Sequence, residues 1–158
     1  MFREGGVSRH SSFLLHPDTA DLLDISKGEL TVLDLSQGCF PIHIDIFTLG
    51  MELHAFPRTI FGGVLALLAD GVCGKAAYLH RDLEIPGYTA YTNVKFDKPI
   101  RTDKDGYATI LVRSQVNQHQ SSGAKIVINA QFEDPGGIIH AVAESMTMER
   151  TVKEFPRL

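Results

Sequence analysis

Asp70 interrupts the most apolar stretch of the chain, Phe61 to Leu79, within the segment FGGVLALLAD. Burying a carboxylate without partners is costly, so its presence there needs a reason. One reason is chemical: a carboxylate held beside a substrate acts as general base or nucleophile. The other is structural: a carboxylate hydrogen-bonded to a loop or to a neighbouring subunit. Composition and spacing leave both open. Gly62 and Gly63 stand eight and seven residues earlier. At a helix start, free backbone N–H groups point outward and the helix dipole favours negative charge. Glycine there lets a ligand carbonyl approach closely, which is how an oxyanion hole is built. The plainer reading is that Gly-Gly turns the chain into the helix.

Other reactive residue types give weaker signals. Cys39 and Cys73 are the two cysteines, too few for a disulfide framework and without zinc-ligand spacing. They read as reduced, partly buried thiols. A nucleophilic Cys73 is the sharper alternative, but no base neighbours it in sequence. His43, His119 and His140 are scattered over strands and turns and read as surface or internally satisfied positions. Arg101, Lys104, Arg113 and Lys125 read as solvated, although basic groups also suit phosphate.

These residues need elements to position them. The length and Leu/Ala content of the stretch from about Gly62 to His80 predict a helix. Taking steps of three, four and seven from Asp70 reaches Gly63, Ala66, Cys73, Gly74 and Ala77, a stripe of small residues that permits close approach. Before the helix, Phe40 to Leu49 alternates, with Ile42, Ile44 and Ile46 on the face expected to be buried and His43 and Asp45 on the other. Four strands are expected after it: Tyr88 to Phe96, Tyr107 to Gln118, Ala124 to Phe132 and Ile138 to Met148. The turns between them are short, which favours antiparallel pairing. His16-Pro17-Asp18 followed by TADLLD reads as a short helix capped by Asp18, with Leu22 and Leu23 against the core edge. One long helix followed by a run of strands is an α+β arrangement.

The 158 residues suffice for one domain with a proper core. A net charge of −4 gives no overall attraction to nucleic acid. Asp70, Lys75 and four glycines make Phe61–Leu79 unlike a membrane span. The N-terminus is too polar for a secretory signal; Arg3, Arg9 and its serines leave an organelle transit peptide open, and Glu4 counts against one. The expectation is a cytoplasmic protein. Its parts are an extension with a short helix over 1–37, the main domain over 38–150 and a polar tail over 151–158.

The same segments carry a family resemblance. FGGVLALLAD is similar to the signature of hotdog-fold acyl-CoA thioesterases of the phenylacetyl-CoA and THEM type, which reads His-Gly-Gly, six residues, then a catalytic Asp. Gly62, Gly63 and Asp70 fall in register with it. TAYTNVKFDKPI, Thr89 to Ile100, resembles a following strand of that family, and SSGAKIVINAQFEDPGGIIHAVAESMTM resembles its two closing strands. The resemblance implies a hotdog fold: a long central helix wrapped by an antiparallel sheet of about five to six strands. It implies hydrolysis of an acyl-CoA thioester without metal or bound cofactor. Asp70 would be general base or nucleophile, the Gly62 amide would polarise the carbonyl, and Thr89 would orient Asp70 or the water. It also implies a homodimer or homotetramer whose site combines Asp70 and Gly62 from different subunits.

The pattern breaks at one place. The family's His before Gly-Gly is Phe61 here. His54 or Arg58 in the preceding loop are candidates to replace its contact, and Phe61 with Gly63 would line the acyl pocket. HAFPRTIFGGVL, His54 to Leu65, also resembles the loop of hotdog hydroxyacyl-thioester dehydratases. That chemistry needs an acid where Leu68 stands, and Asp70 lies about 200° further round the helix. A non-catalytic acyl-CoA-binding protein is the third reading.

Overall fold

The computed structural model describes residues 6–15, 22–24, 42–79 and 87–149. Nine strands and one long helix follow one another within them: β1 (Val7–Leu15), β2 (Leu22–Asp24), β3 (Ile42–Leu49), β4 (His54–Phe56), β5 (Thr59–Ile60), α1 (Gly62–Tyr78), β6 (Gly87–Phe96), β7 (Ala108–Val116), β8 (Lys125–Glu133) and β9 (Ile139–Glu149). A 3-10 turn, Met51–Leu53, precedes β4. Seven strands form one sheet in the order β2-β1-β3-β7-β8-β9-β6, and β4 and β5 form a separate ribbon. Every pairing between these strands is antiparallel.

The helix lies against β6, β7, β8 and β9. It buries Val64, Leu65, Leu68, Ala69, Val72, Cys73, Ala76 and Ala77. The sheet answers with Ile110 and Val112 of β7, Ile128 and Phe132 of β8, and Ala141 of β9, all fully buried. Alternation along β7 and β8 is what delivers these side chains to one face. Burying each large aliphatic side chain stabilises by about 1.5–3 kcal/mol relative to exposure, so this layer supplies most of the driving force.

Three expectations need correction. Residues 7–15, expected in an N-terminal extension, form a strand of the main sheet, paired with β3 from Leu15↔Ile42 to Val7↔Leu49. The sheet therefore has seven strands. Leu22 and Leu23 pair with Leu15 and Leu14 as β2 instead of forming a helix; residues 16–21, with the expected Asp18 cap, lie outside the described residues. Strand β3 is also inverted. His43, Asp45, Phe47 and Leu49 point to the helix side and are buried, while Ile42, Ile44 and Ile46 are half-buried on the other face. The second half of the strand decides this: Phe47 and Leu49 share the parity of His43 and Asp45 and join the core.

The inversion buries a carboxylate. Asp45 is 1% exposed. Its Oδ1 accepts a hydrogen bond from His10 Nε2 at 2.6 Å and another from Ser12 Oγ. Lys75 Nζ of α1 lies 3.7 Å from the same oxygen and donates to Ser12 Oγ. Asp45 Oδ2 faces His43 Nδ1 at 3.3 Å without hydrogen-bond geometry. Burial pushes the His43 imidazole down to about 4, against the pull of Asp45 and with help from Lys75 and His10. The cluster ties β1, β3 and α1 together.

Two outcomes follow from this cluster. Asp45→Ala strands His10, Ser12 and Lys75 without their shared acceptor. Urea denaturation is expected to show a loss of roughly 3–5 kcal/mol, against a null result within 0.5. His43 titrates lower in the folded protein than its ordinary 6.5. Its contribution to stability is therefore complete above about pH 6.5 and is lost as pH falls towards 4. Denaturant midpoints measured across that window should fall with acid, and less steeply in His43→Asn.

Candidate active site

The helix starts without a side-chain cap. Phe61 occupies the N-cap with φ −65° and ψ 127°, and no acidic residue lies in the first turn. The Phe61 carbonyl accepts from the Val64 amide at 2.9 Å. The amides of Gly62 and Gly63 have no acceptor one turn back, which leaves them free for an outside acceptor. Phe61 itself is 57% exposed. Its ring lies over Gly63: a Cβ on Gly63 would sit 2.4 Å from Phe61 Cε1. A side chain at Gly63 would therefore require the ring to swing away. A Cβ on Gly62 would meet the Phe96 ring at 3.4 Å.

Asp70 lies two turns further on, on an exposed flank of α1. The burial that its apolar sequence neighbourhood suggested is not found. Thr92 Oγ1 of β6 donates to Asp70 Oδ1 at 3.3 Å. Thr92 Oγ1 also lies 3.0 Å from Ser145 Oγ of β9. Ser145 Oγ donates to the Tyr91 carbonyl at 3.2 Å, which anchors it beside Thr92. This relay holds one carboxylate oxygen and leaves Oδ2 without a partner among the described residues.

The hydroxyl that reaches Asp70 is thus that of Thr92, whereas the resemblance placed this role on Thr89. The register shifts between Thr89 and Tyr91. Thr89 then pairs with Thr147 and Thr92 with Ser145, which puts both threonines on the helix side, in successive rows about 7 Å apart. Thr89 is exposed. The sequence holds no signal for such a shift.

The loop residues stand apart from Asp70. His54 begins β4, and its buried Nε2 has no hydrogen-bond partner. Arg58 turns the ribbon at φ 56° and donates to the Thr102 carbonyl at 3.1 Å. Neither contacts Asp70. Leu68, where a dehydratase would need its acid, is a core residue at 8% exposure. Arg113 is paired with Glu133 at 2.8 Å. Cys73 is fully buried, and burial, reinforced by the Asp70 charge, pushes its thiol up to about 12. Its thiolate is therefore scarce at neutral pH, and it is no nucleophile.

The sheet ends at β6, ten residues long, whose outer edge is unpaired among the described residues. Tyr88 and Phe96 near its two ends are 47% and 52% exposed. A cavity of about 690 Å³ lies on the outer face of the sheet around Asn93, Lys95, Arg113, Gln131 and Glu144. Another, of about 320 Å³, lies on the flank of the helix away from Asp70. No described helix is long and apolar enough to cross a membrane.

The sequence matches no protein-family model and no curated protein. Solved structures do match in shape. A thioesterase of Haemophilus influenzae aligns with a TM-score of 0.63 at 12% identity, over 73% of this chain and 76% of that one. The PaaI protein of the Escherichia coli phenylacetic acid degradation operon aligns at 0.60 and 14%, over 70% and 73%. A hypothetical thioesterase of Streptococcus pneumoniae, solved with coenzyme A, aligns at 0.58 and 13%, over 68% and 80%. The chain has the hotdog fold. The expected architecture of a helix wrapped by an antiparallel sheet holds, with β1 and β2 extending the hotdog sheet beyond β3.

The buried thiol gives a direct check on this geometry. In the native protein at pH 8, iodoacetamide should leave Cys73 unmodified by mass mapping, and label it fully once the chain is unfolded. Rapid native labelling at Cys73 would contradict its placement on the buried face of the helix.

Proposed function

We propose that this hotdog protein is an acyl-CoA thioesterase, hydrolysing a thioester to the free acid and coenzyme A. The observation that carries the proposal is Asp70. It is an exposed carboxylate with one oxygen held by the Thr92–Ser145 relay and the other free, on the helix flank nearest the open edge of the sheet. Fold neighbours named as thioesterases, one of them with coenzyme A, support the reaction class and the acyl-CoA substrate.

Asp70 takes a proton from a water whose oxygen attacks the thioester carbonyl carbon. The oxyanion that forms rests on the Gly62 amide. The tetrahedral intermediate then expels the coenzyme A thiolate, which takes up a proton, and the acid is released. No metal or bound cofactor is required. Gly62 and Asp70 are separated by eight residues, about 12 Å along the helix, which is too far for both to serve one carbonyl. The site therefore combines Asp70 of one protomer with Gly62 of its partner. A homodimer joined edge to edge through β6 satisfies this and also covers the open strand. Thr89, one row beyond Thr92, is the candidate to orient the water. Phe61 and Gly63 would line the acyl entry, with His54 and Arg58 in the loop behind them. The absence of a His before Gly-Gly makes the entry more apolar, and the protein would act in the cytoplasm.

The test uses two variants that leave the fold intact. Gly62→Pro removes the amide hydrogen and adds a ring whose Cβ would touch the Phe96 ring at 3.4 Å; proline suits the first helical position, and Phe61 already has the extended backbone it requires. Asp70→Asn removes the base. Each should lower the rate of thiol release from an acyl-CoA panel by roughly 10²-fold or more. Thr92→Val should cost about tenfold in kcat with KM little changed, the mark of a positioning residue. Unfolded and refolded together in equal amounts, the two inactive variants should recover roughly a quarter of wild-type activity, because half the dimers then carry one intact site. A wild-type rate in Asp70→Asn would end the role given to Asp70, and equally slow release by wild type and Asp70→Asn with acyl-CoA still bound would end the enzyme reading. Absence of recovery, with dimers formed, would end the shared-site arrangement.

A further inference from the structure

The flank of the helix opposite Asp70 holds a cavity of about 320 Å³, lined by His10, Asp45, Phe47, Leu67, Leu68, Gly71, Val72 and Lys75. Its walls and its end differ in character. Phe47, Leu67, Leu68 and Val72 make the walls apolar. The His10 ring stacks flat on Phe47, with centroids 4.5 Å apart and planes 2° from parallel. The end is the cluster around Asp45.

The donor and acceptor balance of that cluster is uneven. Asp45 Oδ1 already accepts from His10 and Ser12 and has Lys75 Nζ at 3.7 Å. Asp45 Oδ2 is turned to buried His43. Lys75 Nζ carries three N–H donors and no acceptor, and only one of them is taken by Ser12. At 36% exposure, Lys75 stands at the cavity mouth. The polar end therefore has donors to spare and its acceptor oxygen is saturated. The spare Lys75 donors favour an anion over a cation there, and the apolar walls ask for a hydrocarbon body behind it.

Ser12, His10 and Asp45 do not form a hydrolytic triad. Both Ser12 Oγ and Asp45 Oδ1 approach the same His10 nitrogen, Nε2, at 3.3 and 2.6 Å, where a triad uses the two ring nitrogens separately. Ser12 is also fully buried. The cavity is suited to binding and not to that chemistry.

We propose that this cavity is a second ligand site, taking a small amphiphilic carboxylate with its headgroup on Lys75 Nζ beside His10 and its hydrocarbon body between Phe47, Leu68 and Val72. The site is built from β1, β3 and the far flank of α1 and shares no residue with the Asp70 relay, so it stands whether or not Asp70 hydrolyses thioesters.

Sodium octanoate is the probe, titrated into the full-length protein with methyl signals followed by NMR. Saturable shifts at Leu67, Leu68 and Val72 are expected in wild type and equally in Asp70→Asn. Gly71→Leu should abolish them: a carbon added at Gly71 meets nothing within 4 Å, so the new side chain fills the cavity without disturbing the backbone. Lys75→Met, which keeps the stem and removes the charge, should weaken binding at least tenfold. Octylammonium should produce no shifts. The proposal is overturned by silence at these methyls in wild type or by unchanged affinity in Gly71→Leu. Equal binding of octylammonium and octanoate overturns it too. Should Lys75→Met fail to fold, the Gly71→Leu and octylammonium arms still decide.

Discussion

Only one rotation of α1 about its axis buries Val64, Leu65, Leu68, Ala69, Val72, Cys73, Ala76 and Ala77 against the sheet. Everything functional follows from that choice. Asp70 and Lys75 are five residues apart, about 140° round the helix, so one rotation sends them to opposite flanks. Asp70 meets β6 and β9 at the open edge of the sheet. Lys75 meets β1 and β3 at the other side. Packing of the apolar stripe fixes both placements before any polar contact is made.

The Lys75 flank shows what such a placement demands in energy. A buried carboxylate without partners is untenable. Asp45 is tolerated because two other elements bring partners to it: His10 and Ser12 on β1 and Lys75 on α1. The pairing that adds β1 to the sheet is the same pairing that sets Ser12 opposite Asp45. Strand β1 is thus both backbone partner and charge partner of β3.

Periodicity made most of this fold legible. The helix and β6 to β9 fall within a residue or two of where spacing predicts them, because turn residues punctuate the chain between them. The rest was hidden for identifiable reasons. VSRHSSFLL, β1, does not alternate cleanly, since its inward positions include Ser12, whose partner is Asp45. In IHIDIFTL the first half argues for one buried face and the second half for the other, and only the tertiary partners of Asp45 decide between them. Asp70 stood out because a lone carboxylate in an apolar helix is anomalous. Thr92 did not, because only a register shift in β6 brings it to the same face as Thr89.

The two carboxylates, Asp45 and Asp70, separate structure from chemistry. Asp45 is surrounded: Oδ1 is saturated by donors within its own chain and Oδ2 is closed off by His43. It can accept no proton from a substrate without dismantling the cluster that holds β1 in place. Asp70 is held at a single oxygen by the Thr92 hydroxyl, which sits against a second hydroxyl, that of Ser145. That is enough to fix the carboxylate's direction and too little to quench it. Its other oxygen is left for a proton. A general base needs this combination of fixed direction and unused capacity. Among the carboxylates on the helix side of this sheet, Asp70 has it and Asp45 does not.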